Sequence, residues 1–236
     1  MFQAVVFDIG ETLVGYDKPL SWSGLYRPAL EYIAEECKFN FTESDYQCAI
    51  EILTKYNTRI NPREYEVSST QIFEEIVSSL NLLVKNIDDM IYRFFSYFRR
   101  ESFVYPEVEG VLIQLSARGI KIGTLSDVAY GMDNEYVFQD IETLKKYIDY
   151  PLTSNDVGYR KPCTQGLELL ARKMKIDISE CVFVGDEEKD MVCANAAGAY
   201  SVLINRGMET KEYGQKAEVS SLHEVLDIVG SGRENI

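Results

Sequence analysis

The sequence contains one histidine, His223, and one tryptophan among its 236 residues. His223 lies beside the apolar positions of a late helix and not among them, so we expect it at the surface, and a mechanism that needs a histidine base is disfavoured. The five cysteines have no CxxC spacing. This odd number without such a spacing suits buried thiols in a reducing compartment better than disulfides or a zinc site.

Basic residues are also few, with 24 Lys and Arg against 38 Asp and Glu and a formal net charge of −14. Such a surface repels phosphate backbones and anionic lipid, so neither nucleic acid nor a membrane is an expected partner. No apolar run approaches the ~20 residues of a membrane-spanning helix, and the N-terminus shows no basic segment followed by an apolar stretch. We therefore expect a cytoplasmic protein that is a monomer or a weak homodimer.

The chain begins with an apolar run, FQAVVFDIGETLV over residues 2–14, that stops at Asp8. Val5, Val6 and Phe7 predict a strand buried on both faces, because β-branched and aromatic side chains fill a pleated surface. Ligands bind at the carboxyl ends of strands in open α/β sheets, so Asp8 is a candidate for chemistry. An aspartate before a glycine-containing turn is also ordinary turn chemistry, and these residues alone do not separate the two interpretations.

Residues 16–104 are predicted to form an all-helical unit with no strand of its own. Residues 15–24 are rich in Gly, Pro and Ser and indicate a loop, and a first helix is expected over residues 25–37. Later apolar side chains recur at helical spacing and mark further helices. These positions are Tyr46, Ala49, Ile50 and Leu53; Ile72, Phe73, Ile76 and Leu80; and Ile91, Phe94, Phe95 and Phe98. The aromatic side chains of the last group are interpreted as core.

From residue 105 the pattern alternates between helix and strand, which predicts a parallel sheet with helices on both faces. The predicted strands cover residues 120–125, 149–153, 181–184 and 200–204, and the predicted helices cover 106–119, 134–147, the segment after Pro162 and 190–198. The expected fold class is therefore α/β, with a doubly wound parallel sheet in a core of residues 1–15 and 105–236. Residues 16–104 form the inserted helical domain, and the last residues, GSGRENI, are expected to be disordered.

Polar residues suited to chemistry follow several of these strands, and the carboxyl ends of parallel strands converge on one edge. They are Asp8, Ser126, Lys161, Asp186 and Asp190. A carboxylate that attacks phosphorus needs the surrounding negative charge neutralised, which Mg²⁺ held by oxygen ligands achieves. Asp8 and Asp186 are candidate ligands, with the backbone carbonyl of Gly10 as a third. Lys161 offsets the remaining charge, and the Ser126 hydroxyl is suited to bind a phosphoryl oxygen.

Four segments, VVFDIGETL, IGTLSD, GYRKP and VFVGDEEKDMVCANAAGA, resemble the motifs of the haloacid dehalogenase-like hydrolase superfamily in their usual order. The resemblance covers residues 2–15 and 105–207, and the helical insert matches the cap of that superfamily in location and size only. It implies a Mg²⁺-dependent phosphatase of a small phosphorylated metabolite, with the cap selecting the substrate.

The resemblance also implies a role for each motif residue. Asp8 is the implied nucleophile, forming an aspartyl-phosphate, and Ser126 and Lys161 are the implied phosphate binders. Asp186 is the implied Mg²⁺ ligand, and Asp190 is a second acidic anchor at the metal, either as a ligand or by contact with one.

Gly10 departs from the pattern, because phosphatases of this superfamily usually carry a second aspartate there as general acid and base. Such a group is typically worth about 10² to 10⁴ in rate. Three interpretations stay open. Glu11 substitutes for the missing side chain; the substrate has a good leaving group and needs little acid help; or the chain has lost most activity and serves as a binding or regulatory protein.

Two other branches of the superfamily are less favoured. Dehalogenases need no metal and would not require the acidic pair Asp186 and Asp190. A phosphonate-cleaving branch uses a cap lysine as a Schiff base, for which Lys55 is a formal candidate, although a helical lysine is usually solvated. Asp127, which follows Ser126, is interpreted as a helix cap in preference to a group of the site.

Overall fold

The computed structural model of the protein describes residues 1–17, 21–99 and 101–231. Over these ranges the chain forms eight β-strands and ten α-helices. The strands are β1 (Ala4–Phe7), β2 (Val14–Tyr16), β3 (Ser102–Val104), β4 (Lys121–Ser126), β5 (Tyr150–Thr153), β6 (Cys181–Gly185), β7 (Tyr200–Ile204) and β8 (Ala217–Val219). The helices are α1 (Tyr26–Cys37), α2 (Glu43–Tyr56), α3 (Ser69–Ser79), α4 (Ile87–Tyr97), α5 (Val108–Ala117), α6 (Asn134–Asp140), α7 (Ser154–Val157), α8 (Gln165–Met174), α9 (Glu188–Ala197) and α10 (Val225–Ser231).

Within the described chain, six strands form one sheet in the order β5-β4-β1-β6-β7-β8, with every neighbouring pair parallel. β1 is buried along its whole length, which explains why its sequence is apolar without alternation. The chain adds β4 and β5 on one side of β1 and β6 to β8 on the other, so the strand order reverses at β1. Ligand sites of α/β sheets form at such a reversal. The predicted fold class, a doubly wound parallel α/β sheet with an inserted helical unit, is confirmed.

A second compact unit comprises Tyr16–Glu101 and Val128–Asp133 and contains α1 to α4. Its interior is rich in aromatic side chains, and the predicted core positions Phe94, Phe95 and Phe98 are all buried. Trp22 stacks on Phe98, with 4.3 Å between the ring centroids. The rest of the chain forms the unit that contains the six-stranded sheet. The assignment of residues 16–104 to a cap domain stays a prediction.

Three short strands differ from the sequence-based expectation. β2 and β3 form a small sheet of their own, although residues 15–24 were expected to be loop and residues 16–104 to lack strands. β8 extends the main sheet beyond the last predicted strand. Each is three residues long, which is too short to show a period-2 pattern. Gly15 in β2 allows the Phe103 ring of β3 to approach closely, because a Cβ at Gly15 would lie 2.5 Å from Cζ of Phe103.

Several smaller expectations can be compared with the described residues. The helix expected over 134–147 is divided into α6 and a 3-10 helix, Glu142–Tyr147. His223 is exposed, as predicted, and all five cysteines are free. Cys181 and Cys193 are buried, as expected, whereas the other three are only partly buried. Of the C-terminal residues expected to be disordered, Gly230 and Ser231 belong to α10, and 232–236 lie outside the described residues. No described helix has the length and apolar character that crossing a membrane requires. The cytoplasmic location stays a prediction.

Candidate active site

Asp8 is the first residue after the central strand β1. Phe7, its neighbour, pairs with Thr124 of β4 and Val184 of β6, so the carboxyl ends of these strands lie side by side. The backbone N–H of Asp8 continues the ladder by donating to the carbonyl of Val184 (2.9 Å). The Asp8 side chain is nearly buried, with 10% of its surface exposed. A buried carboxylate at this edge needs a compensating positive charge.

Two further carboxylates lie beside Asp8. Asp186 follows β6, and Asp190 lies in the first turn of α9 with none of its surface exposed. Carboxylate oxygens of all three residues lie within 4.8 Å of one another. Burial, followed by the charges of Asp8 and Asp190, raises the pKa of Asp186 to about 8. Burial is also the main cause that raises the pKa of Asp8 above its usual value. The three acidic groups therefore repel one another at a site with little access to solvent.

Lys161 supplies the nearest positive charge. Its ammonium nitrogen lies 2.9 Å from Oδ1 of Asp8 and 2.7 Å from Oδ1 of Asp190, and 1% of its side chain is exposed. Burial by itself lowers the pKa of Lys161, but the carboxylates of Asp190, Asp8 and Asp127 outweigh it and hold that pKa well above the usual value. Lys161 is therefore charged, and it bridges two of the three acidic residues.

The oxygen atoms of this group fit a hard divalent cation. Oδ1 of Asp8 and Oδ1 of Asp190 are buried, and each contacts the Lys161 ammonium, at 2.9 and 2.7 Å. Carboxylate oxygens are ligands that Mg²⁺ prefers. One ammonium group does not balance three carboxylates, so a bound cation would relieve the remaining repulsion. Gly10 lies in the turn after Asp8, and the ligand role of its carbonyl stays a prediction.

Ser126 and Asp127 lie at the end of β4. Ser126 is its last residue and is 8% exposed. Asp127 accepts the backbone N–H of Lys161 (3.1 Å), and one of its oxygens lies 3.5 Å from Nζ of Lys189 and 3.9 Å from Nη2 of Arg160. The interpretation of Asp127 as a helix cap is wrong, because the next described helix begins only at Asn134. Asp127 instead connects the end of β4 to the segment that carries Lys161.

Glu11 does not belong to the acidic group of Asp8, Asp186 and Asp190. Its φ of 54° lies in the left-handed region, and its side chain is exposed. Oε2 of Glu11 accepts a hydrogen bond from the Tyr105 hydroxyl (3.0 Å). Lys55, the candidate Schiff base, has its Nζ 2.7 Å from Oε1 of Glu75, with 59% of the Lys55 side chain exposed. The hydrogen bond to Glu75 raises the pKa of Lys55, which is the opposite of what an amine nucleophile needs.

The structure thus brings together Asp8, Lys161, Asp186 and Asp190, and it places Ser126 at the end of the adjoining strand. Sequence reasoning missed Tyr105 and Lys189. Tyr105 is 94 positions from Glu11, and no local sequence pattern predicts a hydrogen bond between residues so far apart in the chain. Lys189 was detectable in principle, because it directly precedes Asp190 in α9.

Comparison with known proteins points to one family. The haloacid dehalogenase-like hydrolases match residues 2–198. Phosphoglycolate phosphatase from Escherichia coli (strain K12) is 29% identical over 138 residues, which are 55% of this chain and 52% of the relative. Glyceraldehyde 3-phosphate phosphatase from Methanocaldococcus jannaschii is 30% identical over 131 residues, which are 53% of this chain and 56% of the relative. The chain therefore spans about half the length of the curated relatives it matches.

Solved structures share the fold along nearly the whole chain. The 2-haloacid dehalogenase from Pseudomonas syringae pv. Tomato DC3000 superposes with a TM-score of 0.71 at 19% identity, covering 98% of this chain and 99% of the other. An HAD phosphatase from Thermococcus onnurineus gives a TM-score of 0.62 at 20% identity, covering 98% of this chain and 100% of the other. At these identities the likeness establishes the fold alone.

Proposed function

The chain belongs to the haloacid dehalogenase-like hydrolases, and from this premise we propose that it is a Mg²⁺-dependent phosphatase acting on a small phosphorylated metabolite. The observation that carries the proposal is the contact of the Lys161 ammonium with both Asp8 and Asp190, 2.9 and 2.7 Å away. Together with Asp186, this arrangement offers a carboxylate nucleophile, a fixed positive charge and an all-oxygen cation site at one strand edge. The phosphatase relatives support the same reaction class.

In the proposed reaction a carboxylate oxygen of Asp8 attacks the phosphorus atom, and the bond from phosphorus to the leaving oxygen breaks. The resulting aspartyl-phosphate on Asp8 is then hydrolysed by water, which releases inorganic phosphate and restores the carboxylate. The Lys161 ammonium offsets negative charge on the phosphoryl oxygens, and the Ser126 hydroxyl donates a hydrogen bond to one of them.

Asp8, Asp186 and the backbone carbonyl of Gly10 would hold the Mg²⁺ ion, with Asp190 as a further ligand or as an anchor for these groups. The bound ion would neutralise charge on the nucleophile and the phosphoryl group, so that two anions can approach one another. Support comes from the carboxylate oxygens of Asp8, Asp186 and Asp190, which lie within 4.8 Å of one another.

Proton transfer is assigned to Glu11 in this proposal. Gly10 has no side chain to protonate the leaving oxygen, whereas Glu11, the next residue, carries a carboxylate held by Tyr105. A substrate with a good leaving group, such as an anomeric or acyl phosphate, would need less of this help.

The test compares phosphate release by the wild-type protein and by Asp8→Asn across sugar phosphates and aryl phosphates with Mg²⁺. We expect the variant to lose turnover by at least about a thousandfold, because it lacks the nucleophile. Asp227→Asn is the matched control, since Asp227 is exposed on α10 and its variant should behave as wild type. Unchanged turnover in Asp8→Asn would contradict the assignment of the nucleophile. A wild-type protein that turns over no ester even with Mg²⁺ would instead support the rival function, a binding or regulatory protein.

A further inference from the structure

Asp127, the first residue after β4, has a charged side chain that is almost entirely buried. Only 5% of that side chain is exposed, and β4 ends at the neighbouring Ser126. A buried carboxylate is costly unless donors or positive charges surround it. Asp127 caps no helix, because the next described helix begins at Asn134. The groups that compensate its charge must therefore come from other segments of the chain.

One carboxylate oxygen of Asp127 binds the main chain of Lys161. The Lys161 backbone N–H donates to Oδ1 of Asp127 (3.1 Å). Lys161 lies in the segment between α7 and α8, outside any helix or strand, so regular secondary structure does not fix its backbone. The Asp127 side chain therefore anchors this segment at the residue whose ammonium enters the candidate active site.

The other carboxylate oxygen of Asp127 lies near two positive charges. Oδ2 is 3.5 Å from Nζ of Lys189 and 3.9 Å from Nη2 of Arg160. Oε2 of Glu187 also contacts the Lys189 ammonium, at 2.6 Å. The two cations help to offset the negative charge of Asp127. Without them, that charge would repel the phosphoryl group that the proposed function places at Ser126.

These two cations are adjacent in sequence to residues of the candidate active site. Arg160 directly precedes Lys161, and Lys189 directly precedes Asp190 in the first turn of α9. Through them, and through the bond to the Lys161 N–H, the Asp127 side chain connects the end of β4 with two other segments. One segment carries the lysine of the site, and the other carries a carboxylate that this lysine contacts.

The position of the Lys161 ammonium depends on where the Lys161 backbone is held. The ammonium lies 2.9 Å from Oδ1 of Asp8 and 2.7 Å from Oδ1 of Asp190. A lysine reaches such partners on a flexible four-carbon stem, so a displaced backbone moves the charge. A displacement of about 1 Å is enough to cost about 10²-fold in rate. The bond to Asp127 fixes the start of the stem, and the two carboxylates fix its end.

We propose that Asp127 is a positioning residue, which anchors the Lys161 backbone so that the lysine ammonium stays between Asp8 and Asp190. The inference rests on the proposed phosphatase function, in which this ammonium offsets negative charge on the phosphoryl oxygens. Asp127 makes no bond to the phosphoryl group and acts only through the lysine. Its loss should therefore weaken the binding of phosphate, and it should do so only while Lys161 is present.

The first test compares the binding of inorganic phosphate, with Mg²⁺ present, by the wild-type protein, Asp127→Ala and Asp127→Asn, measured by phosphorus NMR titration. We expect Asp127→Ala to weaken binding about tenfold, as the loss of one hydrogen bond to a charged group does. Asp127→Asn keeps an oxygen that accepts the Lys161 N–H, so its dissociation constant should stay within about threefold of the wild-type value. If Asp127→Ala fails to fold, Asp127→Ser takes its place, because the shorter side chain does not reach the N–H.

Asp177→Ala is the matched control for the loss of an aspartate that accepts a backbone N–H. Asp177 accepts the N–H of Ser179 (2.8 Å), but it precedes β6 and so lies at the end of that strand opposite to the candidate active site. Its loss should lower the free energy of unfolding and leave phosphate binding unchanged. If Asp127→Ala behaved in the same way, its role would be merely structural, and the inference would be overturned.

The second test asks whether Asp127 acts through Lys161. Adding Asp127→Ala to Lys161→Met should cause no further loss of phosphate affinity, because the group that the aspartate positions is already gone. Lys161→Gln serves if Lys161→Met fails to fold. Additive losses, or equal losses in Asp127→Ala and Asp127→Asn, overturn the inference while the proposed function stands. Unchanged phosphate affinity in Lys161→Met contradicts the phosphate-binding role of the lysine and overturns both.

Discussion

At the scale of single residues, Lys161 connects Asp8, the candidate nucleophile after β1, with Asp190 in the first turn of α9. Its ammonium contacts Asp8 and Asp190, which also lie close to Asp186, and almost none of its side chain reaches solvent. Removing one partner of a buried ion pair is costly, because the other charge stays buried without compensation.

The change Lys161→Met, measured by denaturant unfolding without added Mg²⁺, should therefore lower the free energy of unfolding by about 3–5 kcal/mol. Lys146→Met is the control. Lys146 pairs with Glu109 at 3.2 Å, but both side chains are more than half exposed, so this change should lower the free energy of unfolding far less than Lys161→Met does. Equal losses in the two variants would mean that the ion pairs of Lys161 contribute no more than a surface pair.

Most residues of the candidate active site were predictable from the sequence for a simple physical reason. Asp8, Ser126 and Asp186 each stand at or just after the end of a predicted strand, and parallel strands place such ends at one edge. The partner of Glu11 was not predictable, because Tyr105 reaches it through the fold and not through spacing. Asp127 was misinterpreted because its side chain contacts a backbone N–H 34 positions away, at Lys161, and not one in a following helix.

At the scale of elements, the site depends on how closely α9 approaches the end of β6. Gly185 is the last residue of β6, and a Cβ added there would lie 2.5 Å from Cγ of Asp190. Oδ2 of Asp190 also accepts the N–H of Glu187 (3.0 Å), which closes the first turn of α9. Glycine at this position therefore allows Asp190 to sit beside Asp8 and Asp186.

The change Gly185→Ala should displace the Asp190 carboxylate and lower the affinity for Mg²⁺ by at least about tenfold, as loss of a group that orients metal ligands commonly does. Isothermal titration calorimetry with Mg²⁺ measures the effect directly. Gly110→Ala is the matched control, because no atom lies within 4 Å of the added Cβ in α5. The control should keep its Mg²⁺ affinity and gain about 0.5–1 kcal/mol of stability. Equal affinities in both variants would contradict the placement of Asp190 at the metal.

The elements themselves were predictable to the extent that they carry a pattern. β1, β6 and β7 are mainly apolar runs of four or five residues, and β4 carries the apolar Ile122 and Leu125 among polar residues. β2, β3 and β8 have only three residues each, and strands this short form because a partner strand is available. That partner is known only from the tertiary structure.

At the scale of the whole molecule, the segments that resemble the superfamily motifs lie in the unit that carries the six-stranded sheet. In the proposed function these residues determine which group reacts, because the nucleophile, the fixed cation and the metal site would act on the phosphoryl group of any substrate. They do not determine the rest of the substrate, and the helical insert resembles the superfamily in position and size but not in residues. The reaction class is therefore readable from the sequence, whereas the metabolite is not.

The proposed reaction requires Asp8 to carry the phosphoryl group during turnover. The most direct measurement mixes the protein with Mg²⁺ and a phosphate ester labelled in the phosphoryl group, quenches with acid within the first turnover, and maps the labelled peptides. We expect label on the peptide that contains Asp8 and none on the same peptide of Asp8→Asn. Label on a different residue, or release of phosphate with no labelled protein at any time, would contradict it.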